Sequence, residues 1–282
     1  MSMSKQNYDH SSHMAQNSEI SQEHKDYLHR VRMEKISVRA IQILIFGIAF
    51  FLWELCANAK IVDPFITSQP SRVLATMLNL YEDGMLFYHI GITCLEAFVG
   101  FVLGTIVGTI IAIMLWWSEF LCKVLEPYLV VLNSLPKIAL GPVFIVWIGA
   151  GPAAIIVMTL AISLIVTVLE VLNGFLTTDQ EKIKLVRTFG GTKLQVLTKV
   201  LLPASYPTII SALKINVGLS WVGVIVGEFL VSKAGLGYLI VYGGQVFKLD
   251  LVMTSVIILG IAATVMYQGV VCLEKVLVKN KL

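Results

Sequence analysis

Lys184-Leu185-Val186-Arg187-Thr188-Phe189-Gly190, followed after nine residues by Val200-Leu201-Leu202-Pro203, forms a charged island between two long apolar stretches. Just upstream, Thr178 with Glu181 reads as a capping box and predicts a helix starting near Asp179. Gly190-Gly191 should end that helix, because glycine takes the left-handed backbone of a helix C-cap without steric penalty. Thr192 with Gln195 is a second capping box, opening a short helix that runs toward Pro203. Ile183, Val186 and Phe189 recur on one face of the first helix, and Lys182, Lys184 and Arg187 decorate the rest. The pattern is a short amphipathic helix with an apolar ridge, held at a membrane surface. Local physics allows two readings: a protein-docking helix, or a loop anchored on anionic lipid by its basic residues.

Composition fixes the class of the surrounding chain. Hydrophobic residues make up 57% of it and charged residues 14%, with mean hydropathy +0.82. A soluble domain carries about a quarter charged residues. Crossing the bilayer core takes about 20 apolar residues in a helix. Six stretches approach that length: Ala40–Ala57, His89–Trp117, Pro127–Ile148, Ala153–Leu172, Pro207–Val231 and Leu251–Leu273. The expected fold is therefore all-α, a polytopic membrane protein with about six spans. The third stretch contains Pro136 and Gly141-Pro142, which predicts a kinked or broken helix. Backbone freed by such breaks is tolerated only against protein or a water-filled cavity.

Lys and Arg set the orientation. With the N-terminus inside, the inner segments hold the basic residues before Ala40, then Lys123, the cluster from Lys182 to Lys199, and Lys275, Lys279 and Lys281. The outer segments hold only Lys60, Arg72, Lys233 and Lys248. Both termini and the island at 176–204 are thus expected in the cytoplasm. The net charge of +3 reports topology and gives no reason to invoke nucleic acid.

Residues 1–36 are polar and lack the apolar core of a signal peptide, so a disordered cytoplasmic tail is expected there. Residues 37–86 should hold the first span and an outer amphipathic segment, 87–275 the core, and 276–282 a short tail. The tail histidines have no metal-ligand spacing, and Cys56, Cys94, Cys122 and Cys272 form no C-x-x-C pair. Neither a metal site nor a disulfide is expected. Gly100, Gly104 and Gly108 form one helical stripe, as do Gly223 and Gly227; both predict close helix packing.

The spacing of the island resembles the cytoplasmic coupling loop of binding-protein-dependent ABC importer permeases. That loop reads Glu-Ala-Ala, three residues, Gly, nine residues, Ile, one residue, Leu-Pro. Gly190, Leu202 and Pro203 fall on the pattern and Val200 stands for Ile, whereas Lys184, Leu185 and Val186 replace Glu-Ala-Ala. The rest is similar to the branch carrying sulfonates, taurine and nitrate. Leu135-Pro136-Lys137-Ile138-Ala139-Leu140-Gly141-Pro142 resembles its Ile-Pro-x-x-Ala-Leu-x-Pro, and Gly227-Glu228-Phe229 with Gly235-Leu236-Gly237 resembles its Ala-Glu-Met and Gly-Leu-Gly. Glu96 stands where many relatives carry Arg. The resemblance implies a type I importer permease fold and a homodimeric pore in the cell (inner) membrane of a bacterial-type cell. It also implies two cytoplasmic ATPase subunits, which hold ATP and Mg, and an extracytoplasmic solute-binding protein. ATPase docking would fall to Ile183, Lys184, Val186, Arg187, Phe189, Gly190, Gly191, Leu202 and Pro203. This chain has no Walker phosphate loop, so it is not expected to be an enzyme or to bind a cofactor itself.

Ionisable residues inside spans are expensive and mark candidate functional positions. Lys137 sits beside the Pro136 break, where a cation could attract an anionic solute or pair with a carboxylate; snorkelling to the interface is the alternative. Pro136, Lys137, Gly141, Pro142, Trp221 and Glu228 are the pore or gate candidates. For Glu228, a structural hydrogen bond holding the Gly-Leu-Gly turn competes with solute contact. Lys214 should snorkel. A secondary transporter driven by an ion gradient is the rival class, but it should show paired repeats with matching breaks, and Pro136–Pro142 has no convincing second copy. The solute stays open among sulfonates, taurine, nitrate, bicarbonate and pyrimidine-type vitamin precursors.

Overall fold

The computed structural model describes residues 22–279, with side chains described for 27–276. Within that range it is helical, and the chain divides into two compact units between Pro64 and Phe65. The first holds α1, Gln22–Asn58, of which Tyr27–Asn58 is long and apolar enough to cross a membrane. Only 6% of its apolar window is buried, and Ile43, Leu44, Ile45 and Phe46 all stand exposed. A helix apolar all round belongs in a protein core or across a membrane. The tail expected to be disordered over 1–36 is helical from Gln22 onward; the remainder of it, and residues 280–282, lie outside the described residues.

The boundary falls inside the short α2, Pro64–Thr67, and the second unit continues with the amphipathic α3, Pro70–Glu82, opened by proline in its first turn. This segment packs within the second unit, as Arg72 pairs with Asp250 at 2.6 Å and Ser68 Oγ donates to the same carboxylate at 2.7 Å. Long helices follow: α4, Met85–Trp117; α5, Glu119–Ser134; a 3-10 turn, Lys137–Leu140, leading into α6, Gly141–Ile148; and α7, Pro152–Leu176. Then come α8, Gln180–Thr188, and α9, Lys193–Val196, which passes through a π turn at Leu197–Leu201 into α10, Leu202–Val231. The chain closes with α11, Leu236–Gln245, and α12, Leu249–Lys279.

Among the described residues five helices are long and apolar enough to span a membrane, and α5 with the 3-10–α6 segment makes a sixth if the bent pair counts as one. That pair turns through 88°. The break lies at Leu135-Pro136 alone. Proline drives Leu135 into extended backbone (φ −65°, ψ 144°), which stops α5. Gly141-Pro142, expected as a second break, continues the helix: Gly141 is helical and Pro142 sits in the first turn of α6, where no N–H is needed.

α7 is the central post, packed most extensively against α10 and α4. The glycine stripe explains the approach. Cβ atoms at Gly100, Gly104 and Gly108 would run into Thr159, Ser163 and Thr167 of α7, and Cβ atoms at Gly223 and Gly227 would meet Thr159 and Ile155 from the other side. Thr159 and Thr167 return their hydroxyls to the Ile155 and Ser163 carbonyls at 2.8 and 2.9 Å, whereas the Ser163 hydroxyl between them is buried with no hydrogen-bond partner among the described residues. Asn216 of α10 adds polar glue, donating to Thr105 Oγ1 at 2.8 Å. Lys214, expected to snorkel alone, pairs with Glu274 of α12 at 2.7 Å.

Candidate functional site

The charged island folds as two capped helices. Asp179 rather than Thr178 caps α8, accepting from the Glu181 N–H at 2.9 Å. Thr178 is unavailable because its buried hydroxyl bonds the Gly174 carbonyl at 3.0 Å and meets Ser205 Oγ at 3.3 Å. α8 ends in a Schellman turn: Gly191 N–H reaches the Val186 carbonyl and Gly190 N–H the Arg187 carbonyl, both at 2.9 Å, with Gly190 at φ +77°. Gly191 is held to glycine by space, since a Cβ would strike Val186. The Thr192–Gln195 capping box is present in both directions, at 2.7 and 3.3 Å. The helix it opens does not stop near Pro203; with α10 it makes one helix, Lys193–Val231. The π turn at Leu197–Leu201 gives the widened backbone that Pro203 needs, since a proline ring clashes with the carbonyl four residues back.

The apolar residues of this segment point two ways. Ile183 is buried and Val186 packs beside it, in a cluster with Leu115 of α4, Phe175 of α7, and Val196 and Leu201. Phe189 instead stands 84% exposed, with Leu185 one turn behind it. The ridge read as Ile183, Val186 and Phe189 is thus split: its first two residues rivet the segment to the bundle, and the bare pair is Leu185 and Phe189. Lys184 and Arg187 are exposed around that pair, Leu202 is half-buried and Pro203 exposed. Lys193 completes the clamp. Its ammonium donates to the Trp117 carbonyl at 2.7 Å and lies 5.5 and 5.6 Å from the Trp116 and Trp117 rings, where a cation also answers the C-terminal dipole of α4.

The pore and gate candidates separate in the same way. Pro136 and Lys137 lie at the bend, with Lys137 Nζ donating to Asn133 Oδ1 at 3.3 Å and bound to no carboxylate among the described residues. Gly141 is buried where its missing Cβ admits Met158 and Leu230, and Pro142 is exposed beside it. Trp221 and Glu228 are interior. Trp221 packs in the core with Ile155, Val217 and Val224. Glu228 is 1% exposed: one oxygen accepts from Thr93 Oγ1 at 2.7 Å and the other from Gly237 N–H at 2.5 Å. Thr93 Oγ1 also takes the Leu236 N–H at 2.8 Å, and His89 Nδ1 takes the Gly235 N–H at 2.9 Å. Three successive N–H groups of the Gly235-Leu236-Gly237 turn are thereby tied to α4 or α10. Glu96 lies buried against Glu228. His89 and Leu185 were not singled out for these roles from sequence. Leu185 could have been found, since it stands four residues before Phe189 on one helical face.

Comparison with known proteins agrees with this architecture. A family profile described as binding-protein-dependent transport system inner membrane component matches residues 100–280. An ABC transporter permease protein of Haemophilus influenzae is 32% identical over 77% of this chain and 88% of its own length. The aliphatic sulfonates transport permease protein SsuC of Bacillus subtilis is 27% identical over 84% of this chain and 86% of its own. Among solved structures, an inward-facing form of the MetNI methionine ABC transporter matches with TM-score 0.54 and 21% identity, covering 67% of this chain and 97% of the other; at that identity the likeness speaks for the fold alone.

Proposed function

The chain belongs to the family of binding-protein-dependent transport system inner membrane components, and we propose that two copies of it line the solute path of an ATP-driven importer. It is the multi-pass permease subunit. Two ATPase subunits, each carrying ATP and Mg, dock from the cytoplasm on the segment between Asp179 and Pro203, and an extracytoplasmic binding protein delivers the solute. The termini lie in the cytoplasm, on the side of the Lys and Arg excess. Relatedness to the sulfonate permease, together with the cationic Lys137 at the bend, favours a small polar anion as solute.

The observation that carries this reading is the split of the docking segment. Leu185 and Phe189 are bare on one side, and on the other Ile183, Val196 and Leu201 are packed into the ends of α4 and α7. A partner pushing on Phe189 therefore moves the bundle rather than a loose loop. Replacing both Leu185 and Phe189 by Asp should leave the chain in the membrane but abolish copurification of the ATPase subunit. Proteoliposomes holding permease and ATPase should take up solute only with binding protein and ATP. Uptake driven by an ion gradient through the chain alone would return the secondary-transporter reading.

A further inference from the structure

A cavity of about 670 Å3 opens among α3, the start of α4, α11 and the α11–α12 turn, within the size range of small-molecule sites. One wall is an aromatic column: His89 stacks on Tyr238 (6.1 Å, 18°) and Tyr238 on Tyr242 (5.9 Å, 18°). Two bases and two acids also line it. Arg72 and Asp250 neutralise each other at 2.6 Å. Lys248 and Asp83 do not: both line the cavity, yet neither forms an ion pair or side-chain hydrogen bond among the described residues.

The turn that presents Lys248 is strained. Phe247 N–H bonds the Gly244 carbonyl at 3.4 Å and Lys248 N–H the Gly243 carbonyl at 2.8 Å, a Schellman arrangement closing α11. Its left-handed position, normally glycine, is held by Phe247 at φ +56°. A non-glycine residue there costs about 1 kcal/mol or more, and such strain concentrates at ligand-handling sites. Here it puts Phe247, 70% exposed, and Lys248 together at the cavity.

We propose that this cavity binds a small zwitterion. Its anionic end, a phosphate, sulfonate or carboxylate, pairs with Lys248; its ammonium pairs with Asp83; its short stem lies against the Tyr238–Tyr242 wall. A pure anion would leave Asp83 facing like charge, and a pure cation would do the same to Lys248. Because His89 both stacks on Tyr238 and holds the Gly235 N–H, an occupant would bear directly on the Gly-Leu-Gly turn. The same chemistry could arrive free from water or as the phosphoethanolamine headgroup of a lipid, since the cavity sits at the starts of two spans, α4 and α12.

The full-length chain in phosphatidylglycerol nanodiscs would be titrated calorimetrically with O-phosphoethanolamine, ethyl phosphate and ethanolamine. Phosphoethanolamine should bind about tenfold tighter than either half-probe, and Lys248→Gln and Asp83→Asn should each weaken it by about tenfold. Both side chains are exposed, so neither change removes a packed group. In a second arm, nanodiscs of mixed phosphatidylethanolamine and phosphatidylglycerol are analysed by native mass spectrometry for lipid retained on the chain. Phosphoethanolamine binding in the first arm identifies a free zwitterion. Selective phosphatidylethanolamine retention, lost in both variants without a calorimetric signal, identifies the headgroup. Half-probes binding as tightly as the zwitterion, variants unchanged in both arms, or no binding in either arm would overturn the proposal.

Discussion

Glu228 carries the formal mark of a solute-handling residue, since an ionisable side chain within a membrane helix is expensive. Its oxygens are nevertheless consumed inside the chain, by Thr93 and by the Gly237 N–H. The sequence distance from Glu228 to Gly237 is short, so a bond to the turn could be read in advance. The reach to Thr93, 135 residues away, could not, because only packing brings α4 there. Glu228→Ala leaves the buried Gly237 N–H without an acceptor, which costs about 1–3 kcal/mol. Thermal unfolding of the purified chain should show that loss, and Glu228→Gln, which keeps one acceptor oxygen, should lose less. Equal stability of the alanine variant and the parent would remove the latch from the account.

Within the element α8, one glycine fixes how the helix ends and where Phe189 stands. Gly190 sits at φ +77° with open space around the missing Cβ, so conformation and not crowding demands glycine. A valine there strains the left-handed backbone by about 1–2 kcal/mol. The turn would relax by releasing the Gly190 and Gly191 N–H bonds, and Phe189 would leave its place beside Leu185. The expected phenotype of Gly190→Val is a permease that inserts normally and lets the ATPase turn over without transport. Comparing ATP hydrolysis with solute uptake in proteoliposomes checks this; unchanged coupling would mean that the Schellman turn does not align the docking pair. The end of α8 at Gly190-Gly191 and the Thr192–Gln195 box of α9 were legible from sequence because they use residues within five positions of each other, whereas the cap of α8 was read one residue early, at Thr178. Which face of α8 is bare was not, because Ile183 and Phe189 are equally apolar and only the bundle decides which is covered.

At the scale of the whole molecule, the bend at Leu135-Pro136 and the central post α7 define what can move and what cannot. α7 is locked on both sides by glycine contacts, while the 88° bend carries Lys137 on a short 3-10 turn held by Asn133. Lys137→Met keeps an unbranched stem of similar reach and removes the charge. In the assembled importer it should lower uptake of an anionic solute while assembly and basal ATP hydrolysis persist; wild-type uptake kinetics would assign Lys137 to interfacial snorkelling. The rough limits of the apolar helices, a break at Pro136, the glycine stripes and the two short helices between Asp179 and Val196 were readable from the chain alone, whereas the continuity of the helix through Gly141-Pro142 was not. Each follows from local length, periodicity or backbone chemistry, which lipid and water read without reference to the fold. Only the tertiary structure decided that Thr178 turns inward and leaves the cap to Asp179, that Lys214 meets Glu274, that Glu228 is a latch, and that Lys248 and Asp83 share a cavity. These pairings join residues far apart in the chain, and their free energy exists only once packed helices hold both partners within hydrogen-bonding reach, so no local pattern encodes them.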